Sequence, residues 1–459
     1  MRAGLLFMSQ RKFEPESVEA AVADCLQRYT LEARAVCVAF SGGMDSTVLL
    51  HALRNSSVRF LRAVHINHRL HAESGDWARH CEKTCGELGV PLTVISVDVD
   101  TASGAGLEAA AREARYGALE AELKEEELLV MAHHRADQLE TFLMQLFRGA
   151  GVQGLAAMAT RGQIGRLELI RPMLNVSAEE VRRYADAAGL EWIDDPSNLD
   201  TDLDRNFVRH NIVPRILERW PSADRAVARS ARLAGEAAEI LEMTAAADIQ
   251  AGLHGNRLQL DVLRALPGPR QRNALRWMLR TLGLATPSEK QVSDCITAML
   301  ESRPDSNPEA AWPGVRIHRF RDCLWCYSED QDPANCIVPV DGYPWDPERP
   351  LNMGPVRGTL SMATETGAGI APEFISKNLE VRFRQGGEKL RARGRGRTRP
   401  LKNLLQESDI PPWMRRHIPL VYSGETLLAA GDLWVNADCA AGPGQVGRTI
   451  HWSDYSPIR

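Results

Sequence analysis

The chain has 459 residues, 44% hydrophobic and 25% charged, with 55 basic against 60 acidic side chains and a net charge of −5. That balance excludes a disordered, collagenous or coiled-coil polymer and leaves room for about three domains with a large buried core. An acidic total also argues against a nucleic-acid-binding field spread over the whole chain.

The longest apolar stretches, such as residues 35–40 and 128–132, fall well short of the ~20 residues that a membrane span needs. The opening MRAGLLFMSQRKFEPE turns polar too early for a secretory core, so a cytoplasmic location without membrane contact is expected. Nine scattered cysteines fit reduced, mostly buried thiols.

Residues 1–218 alternate short apolar runs with segments of helical period. Strands are expected at 35–40, 59–67, 91–97, 128–133 and 167–171, with helices at 46–53, 75–88, 107–123 and 137–147 between them. This alternation makes βαβ units and a parallel sheet covered on both faces, whose ligands bind beyond the carboxyl ends of the strands. The expected fold is therefore α/β, opening with a parallel-sheet nucleotide-binding domain. From Pro221 the texture changes. Residues 222–248 are rich in Ala, Arg and Glu and read as one long helix, followed by helices at 271–282 and 288–300 and a short β-like end at 315–327. Residues 219–330 are thus expected as a mainly helical middle domain, whose apolar stripes suit a homodimer or an internal core. The Pro- and Gly-rich stretch 330–372 favours short strands and turns. Residues 331–459 complete the chain as a small α/β domain.

Between the first strand and its helix lies Ser41-Gly42-Gly43-Met44-Asp45-Ser46. Two glycines let the backbone turn tightly and bring N–H groups against phosphate oxygens, and the following helix points its positive end at the anion. Ser41 and Ser46 add hydroxyls, and Asp45 can hold a Mg²⁺ bridging phosphates. The loop lacks the Gly-Lys-Ser/Thr ending of a Walker loop, which suits an enzyme gripping pyrophosphate as a leaving group. A second pattern, Gly149-Ala150-Gly151-Val152-Gln153-Gly154, fits a dinucleotide fingerprint but follows a helix, so no nicotinamide or flavin cofactor is expected.

Other strand ends carry further candidates. His65 and Asn67 close the second strand, where a nucleotide's base or ribose would lie. The fourth strand ends in AHHRADQLET, residues 132–141. His133, His134, Asp137 and Glu140 there could bind zinc, but no cysteine is near. The favoured reading is Mg²⁺ coordination through Asp137 and phosphate or proton handling through His133. Glu108, Arg112 and Arg115 share one helical face, ordinarily a solvated one. Residues 194–209, DDPSNLDTDLDRNFVR, are either a solvated loop or an acidic pocket for a cationic substrate, with Arg205 and Arg209 placed for phosphate.

The loop SGGMDS resembles that of the PP-loop ATP pyrophosphatase superfamily. The ordered set SGGMDS, VHINHRLH, GLEAAAREARY, AHHRADQLET, FRGAGVQGLAAM and DPSNLDTDLDRNFVR resembles, within it, the tRNA(Ile)-lysidine synthetase family. WPGVRIHRF resembles part of that family's substrate-binding domain, and VRFRQGGEKL with RPLKNLLQESDIPPWMRRHIPLVY its C-terminal domain. The resemblance thus spans nearly the whole chain, in the three-domain form. It implies ligation of lysine to C2 of the wobble cytidine of tRNA-Ile bearing a CAU anticodon, through an adenylated cytidine, with AMP and pyrophosphate released. ATP, Mg²⁺, L-lysine and that tRNA are the implied small molecules and partner. The residues expected to serve them are Ser41, Gly42, Gly43, Met44, Asp45, Ser46, His65 and Asn67 for ATP, and Asp45, His133 and Asp137 for catalysis. Asp45 and Asp137 would hold the metal. Arg112, Arg115, Arg205, Arg209, Arg384, Arg391, Arg393, Arg395 and Lys402 would meet tRNA. Two departures stand out: Arg69 and His71 where the family often has Gly then Arg, and Ala157 in place of a usual glycine. Rival readings are a PP-loop tRNA thiolation enzyme and a non-catalytic nucleotide-binding tRNA-docking protein. The thiolation reading needs reactive cysteines. Cys81, Cys85, Cys323 and Cys326 are the candidates, and all four read as structural.

The net charge conceals a polarity. Residues 380–417 carry eleven Lys or Arg against Glu380, Glu388, Glu407 and Asp409, a local +7 in a chain of −5. RARGRGRTRPLK alternates cations with glycine, which favours contact with backbone phosphates.

Overall fold

The computed structural model describes residues 17–30, 34–69, 73–99, 107–124, 126–303, 306–376, 378–392, 397–408 and 410–455. The chain divides into two compact units, residues 1–240 and 241–459.

The first unit is built on strands β1 (Ala35–Ala39), β2 (Phe60–Asn67), β3 (Leu92–Ser96), β4 (Leu128–Val130), β5 (Arg161–Ile164) and β6 (Leu167–Ile170). Their order in the sheet is β3-β2-β1-β4-β6-β5. All neighbours are parallel except β5, which runs antiparallel to β6 at the edge. β1 lies in the middle, its Val38 flanked by Ala63 and Val130. Its alternate side chains feed two cores. Val36 and Val38 pack on one face with Val48, Leu49 and Cys81. Cys37 packs on the other with Val64, Leu119 and Leu129. That double burial is why β1 reads as a continuous apolar run. The helices are α1 (Val18–Tyr29), α2 (Met44–Arg54), α3 (Ser74–Leu88), α4 (Leu107–Glu122), α5 (Arg135–Phe147), α6 (Val152–Leu155) and α7 (Ala178–Ala187). Strand order reverses between β1 and β4, so the chain leaves these two strands in opposite directions and opens a crevice at their carboxyl ends. α2 and α5 both start there.

The strand and helix pattern expected for this region is present. β5, an edge strand of four residues with a glycine, was too short to show an alternation. The pattern of residues 149–154 does follow a helix, α5, and runs into α6.

In the second unit, helices Gly268–Thr281 and Glu289–Glu301 bury Leu275, Met278, Val292 and Met299 in a core shared with Val315, Ile317 and Leu324. The apolar stripes of these two helices therefore serve an internal core. Beside them runs a five-stranded antiparallel sheet ordered Leu253–His254, Arg257–Gln259, Cys323–Ser328, Val315–Phe320, Glu309–Trp312. Only its central hairpin, residues 315–328, is long enough to be read from pattern. Further along, a second five-stranded sheet and the long pair Arg357–Thr366 with Val446–Tyr455 enclose helix Leu401–Glu407. No helix among the described residues is long and apolar enough to cross a membrane.

Candidate active site

The phosphate loop follows β1 as its residues demand. Gly42 has φ +83°, and a Cβ there would lie 2.8 Å from Cys81 Sγ, so this position requires glycine on two counts. Gly43 begins α2 with no side-chain cap, leaving that helix terminus to a ligand. The Ser41 and Ser46 hydroxyls lie 3.0 Å apart, and the Gly43 N–H donates to Ser41 Oγ at 3.3 Å. Ser46 Oγ and Thr47 Oγ1 both donate to the Gly43 carbonyl at 3.0 Å. These bonds fix the shape of the loop around the start of α2.

Across the crevice, His134 starts α5. Its Nδ1 accepts from the Ala136 N–H at 3.3 Å, and its own N–H donates to Asp137 Oδ2 at 2.9 Å. Its Nε2 lies 3.5 Å from Asp45 Oδ2 and 3.7 Å from Asp137 Oδ2. The β1 and β4 turns are thereby joined. Burial disfavours the charged form of His134, but the bond to Asp45 and the carboxylates of Asp137, Asp45 and Glu140 prevail and raise its proton affinity. Asp45 Oδ1 is buried with no partner among the described residues.

His133 is held differently. Arg171 Nε donates to its Nδ1 at 3.2 Å, which places the imidazole proton on Nε2. Burial pushes its pKa down to about 3. Asp137 opposes that shift, and Arg171, Arg205 and Arg112 reinforce it. At neutral pH His133 is thus an uncharged donor set among cations.

Asp137 and Glu140, 7% and 2% exposed, face the same arginine pair. Arg205 Nη2 meets Asp137 Oδ1 at 2.8 Å and its Nε meets Glu140 Oε2 at 2.9 Å. Arg209 Nε meets Glu140 Oε1 at 2.6 Å, and its Nη2 reaches Asp137 Oδ1 at 3.3 Å. Burial alone would raise the Asp137 carboxyl. The charges of His134 and Arg205 outweigh it and hold the group down at about 2. Removing one member of such a network leaves a buried charge uncompensated, a loss of about 3–5 kcal/mol.

The acidic segment is tied to the phosphate loop, since the Ile193 N–H donates to the Gly42 carbonyl at 2.9 Å. Asp195 caps the turn Pro196–Leu199, and Asn206 Nδ2 bridges the Ser197 and Asp200 carbonyls at 2.9 Å. Asp200, Asp202 and Asp204 stay exposed.

Other expected residues fall into supporting positions. His65 is buried, and its Nδ1 donates to the Phe40 carbonyl at 2.9 Å, bracing the residue before the loop. Asn67 donates to the Ser74 carbonyl at 3.2 Å and accepts from the Arg69 N–H at 2.9 Å. Arg112 and Arg115 are exposed on α4, Arg112 over the Tyr116 ring at 5.0 Å and Arg115 beside His68 at 3.5 Å. The side chain of Glu108 and all of His71, Arg393 and Arg395 lie outside the described residues. In the second unit, Arg384 lies 3.7 Å from Glu388, Arg391 pairs with Asp438, and Lys402 is exposed. Sequence reasoning left out Arg171 and the pairing role of His134, whose only signal was the doubled histidine. Cys81 and Cys85 are buried, with thiols pushed up to about 12 and about 11 by burial. Burial also raises the thiols of Cys323 and Cys326. None is a poised nucleophile.

Known families fit this arrangement in order. Residues 15–216 match a PP-loop domain, 258–325 a TilS substrate binding domain and 379–452 a TilS substrate C-terminal domain. A tRNA(Ile)-lysidine synthase of Coxiella burnetii is 37% identical over 86% of this chain and 87% of its own. That of Pseudomonas putida is 40% identical over 90% and 94%, and that of Alkalilimnicola ehrlichii 39% over 89% and 92%. With identity of this degree running through all three matched regions, the chain belongs to the tRNA(Ile)-lysidine synthase family.

Proposed function

We propose that this chain uses ATP to join lysine to C2 of the wobble cytidine of tRNA-Ile with a CAU anticodon. The cytosine C2 oxygen attacks the α-phosphate, pyrophosphate leaves, and the oxygen becomes part of an adenylate. The lysine ε-amine then attacks C2, and AMP departs with that oxygen. The observation that carries this reading is the meeting of SGGMDS with the His133–Asp137 turn at the β1/β4 crevice, beside an acidic loop tethered to Gly42.

The residues divide the work by their chemistry. Gly43 and the start of α2 offer N–H groups to the pyrophosphate, with Ser41 and Ser46 adding hydroxyls. Neutral His133 donates from Nε2 to a phosphoryl oxygen, among cations that favour an anion there. His134 orients Asp45. A Mg²⁺ fits Asp45, whose Oδ1 is buried without a partner, better than Asp137, both of whose oxygens are engaged. Such an ion would neutralise charge on the phosphate oxygens. Exposed Asp200, Asp202 and Asp204 would receive the ammonium ion of lysine. A tRNA substrate sets the reaction in the cytoplasm. The reading extends to a homodimer, supported by Leu233, Ile240 and Met243 standing exposed along helix Ala223–Ile249. A single monomeric species in sedimentation at micromolar concentration removes that part.

The test is to incubate the protein with ATP, Mg²⁺, lysine and the CAU-bearing tRNA, and to weigh the wobble nucleotide by mass spectrometry. Addition of lysine is expected. A sulfur-for-oxygen exchange would move the chain to thiolation, and no change of mass would remove the catalytic reading.

A further inference from the structure

The segment that supplies Arg205 and Arg209 to the buried carboxylates continues into a surface feature that the reaction above does not use. Phe207, Asn211, Ile212, Arg215, Ile216 and Trp220 line an open groove of about 530 Å³. Trp220 is 62% and Phe207 48% exposed, an unusual state for two large rings on one short stretch. The Arg219 guanidinium sits 5.9 Å from the Trp220 ring centre. From Phe207 to Trp220 the chain carries Arg209, Arg215 and Arg219 against Glu218 alone, in a protein whose total charge is −5.

We infer that this groove holds one unstacked nucleotide of the tRNA anticodon loop, other than the cytidine that is modified, with its base stacked on Trp220 beside Phe207 and its phosphate facing Arg215 and Arg219. Three observations favour RNA over a protein partner. The groove lies on the segment whose Arg205 and Arg209 pair with Asp137 and Glu140, so a substrate reaching that site passes close to it. Flat aromatic faces rimmed by guanidinium groups suit a base and its phosphate together. A volume of about 530 Å³ has room for one nucleotide. Physically, taking the wobble base out of its stack strips neighbouring bases of a partner, and an aromatic surface beside the site restores one.

The inference rests on the substrate being a tRNA, and the experiment separates the two. Affinity of the full chain for fluorescent CAU-bearing tRNA is measured for the wild type, Trp220→Ala, Trp220→Phe and Phe207→Ala, with ATP affinity as the control for folding. Trp220→Ala should weaken tRNA binding by about tenfold or more, with ATP binding unchanged and Trp220→Phe restoring most of the loss. In tRNAs carrying one abasic site each through the loop, one position should weaken the wild type similarly yet add nothing to Trp220→Ala. If the wild type does not bind the tRNA, the functional reading falls and the groove assignment falls with it. If it binds and Trp220→Ala binds equally well, only the groove assignment falls. Conversion of a wild-type dimer to a monomer by Trp220→Ala, with tRNA affinity per protomer intact, would assign the groove to a second copy instead.

Discussion

His133 and His134 follow each other in the chain, yet their surroundings push them in opposite directions. Asp45 and Asp137 draw a proton onto His134, while burial and three arginines keep His133 neutral. The His133 pKa, about 3 when folded, lies below the ~6.5 of an exposed imidazole, so the unfolded chain binds the extra proton between those values. Stability from this group is complete above pH ~6.5 and lost progressively as pH falls toward the folded value. Lowering the pH from 7.5 to 5 should therefore cost the wild type about 2 kcal/mol that a His133→Asn variant does not lose. Urea unfolding at the two pH values checks this, and equal slopes for both proteins would show that His133 is not held neutral. Residue-scale strain appears elsewhere. Ala157 has φ +50° and Arg69 φ +54°, and both stand where the family resemblance places glycine. The Ala157 turn cannot relax easily, because Gln138 clamps the N–H and carbonyl of Met158 at 2.8 Å each. Left-handed backbone costs a residue with a Cβ about 1–2 kcal/mol, so Ala157→Gly should stabilise the protein by about 1 kcal/mol after glycine's own entropy loss. Chemical denaturation gives the answer, and a destabilised variant would mean that the Cβ packs more favourably than its backbone is strained.

At the scale of elements, local demands were legible and distant ones were not. Gly42, Gly43 and Ser46 announce themselves because strand, tight turn and helix start are each encoded within a few residues. So does Asp137, three residues after the helix cap. His65 does not, since its role depends on the β1–β2 register that sets it beside the Phe40 carbonyl. Arg205 and Arg209 read as phosphate ligands from their spacing, and their pairing with Asp137 and Glu140 depends on a chain return across more than sixty residues. Residues 208–212 also form a π-helical turn, which one sequence does not reveal. The acidic loop shows both sides. Its charge was evident, but its proximity to the phosphate loop comes from distant contacts, among them the backbone bond from Ile193 to Gly42. If this element receives lysine, Asp202→Asn combined with Asp204→Asn should raise the KM for lysine about tenfold, the worth of a lost charge-assisted bond, and leave the KM for ATP unchanged. An unaltered lysine KM would return the loop to a solvated turn.

For the whole molecule, charge is better judged by pairing than by counting. Residues 380–417 hold eleven Lys or Arg, but four of these cations already face carboxylates. Arg382 lies 2.7 Å from Glu380, Arg384 3.7 Å from Glu388, and Arg399 Nη1 donates to Glu407 at 2.8 Å. Arg391 pairs with Asp438, outside the basic stretch. Lys389, Arg397 and Lys402 are exposed and better placed to displace counterions from a polyanion. A cation that already neutralises a carboxylate releases fewer ions when it meets phosphate, so the two groups of residues should differ in the salt dependence of tRNA binding. Lys402→Ala should lower the slope of log affinity against log salt by about 1, whereas Arg399→Ala should change it by less than about half of that. Filter binding or anisotropy between low and moderate salt resolves the difference. Equal slopes for both variants and the wild type would take this surface out of the tRNA interface. A larger change for Arg399 would mean that its pairing with Glu407 opens when tRNA binds.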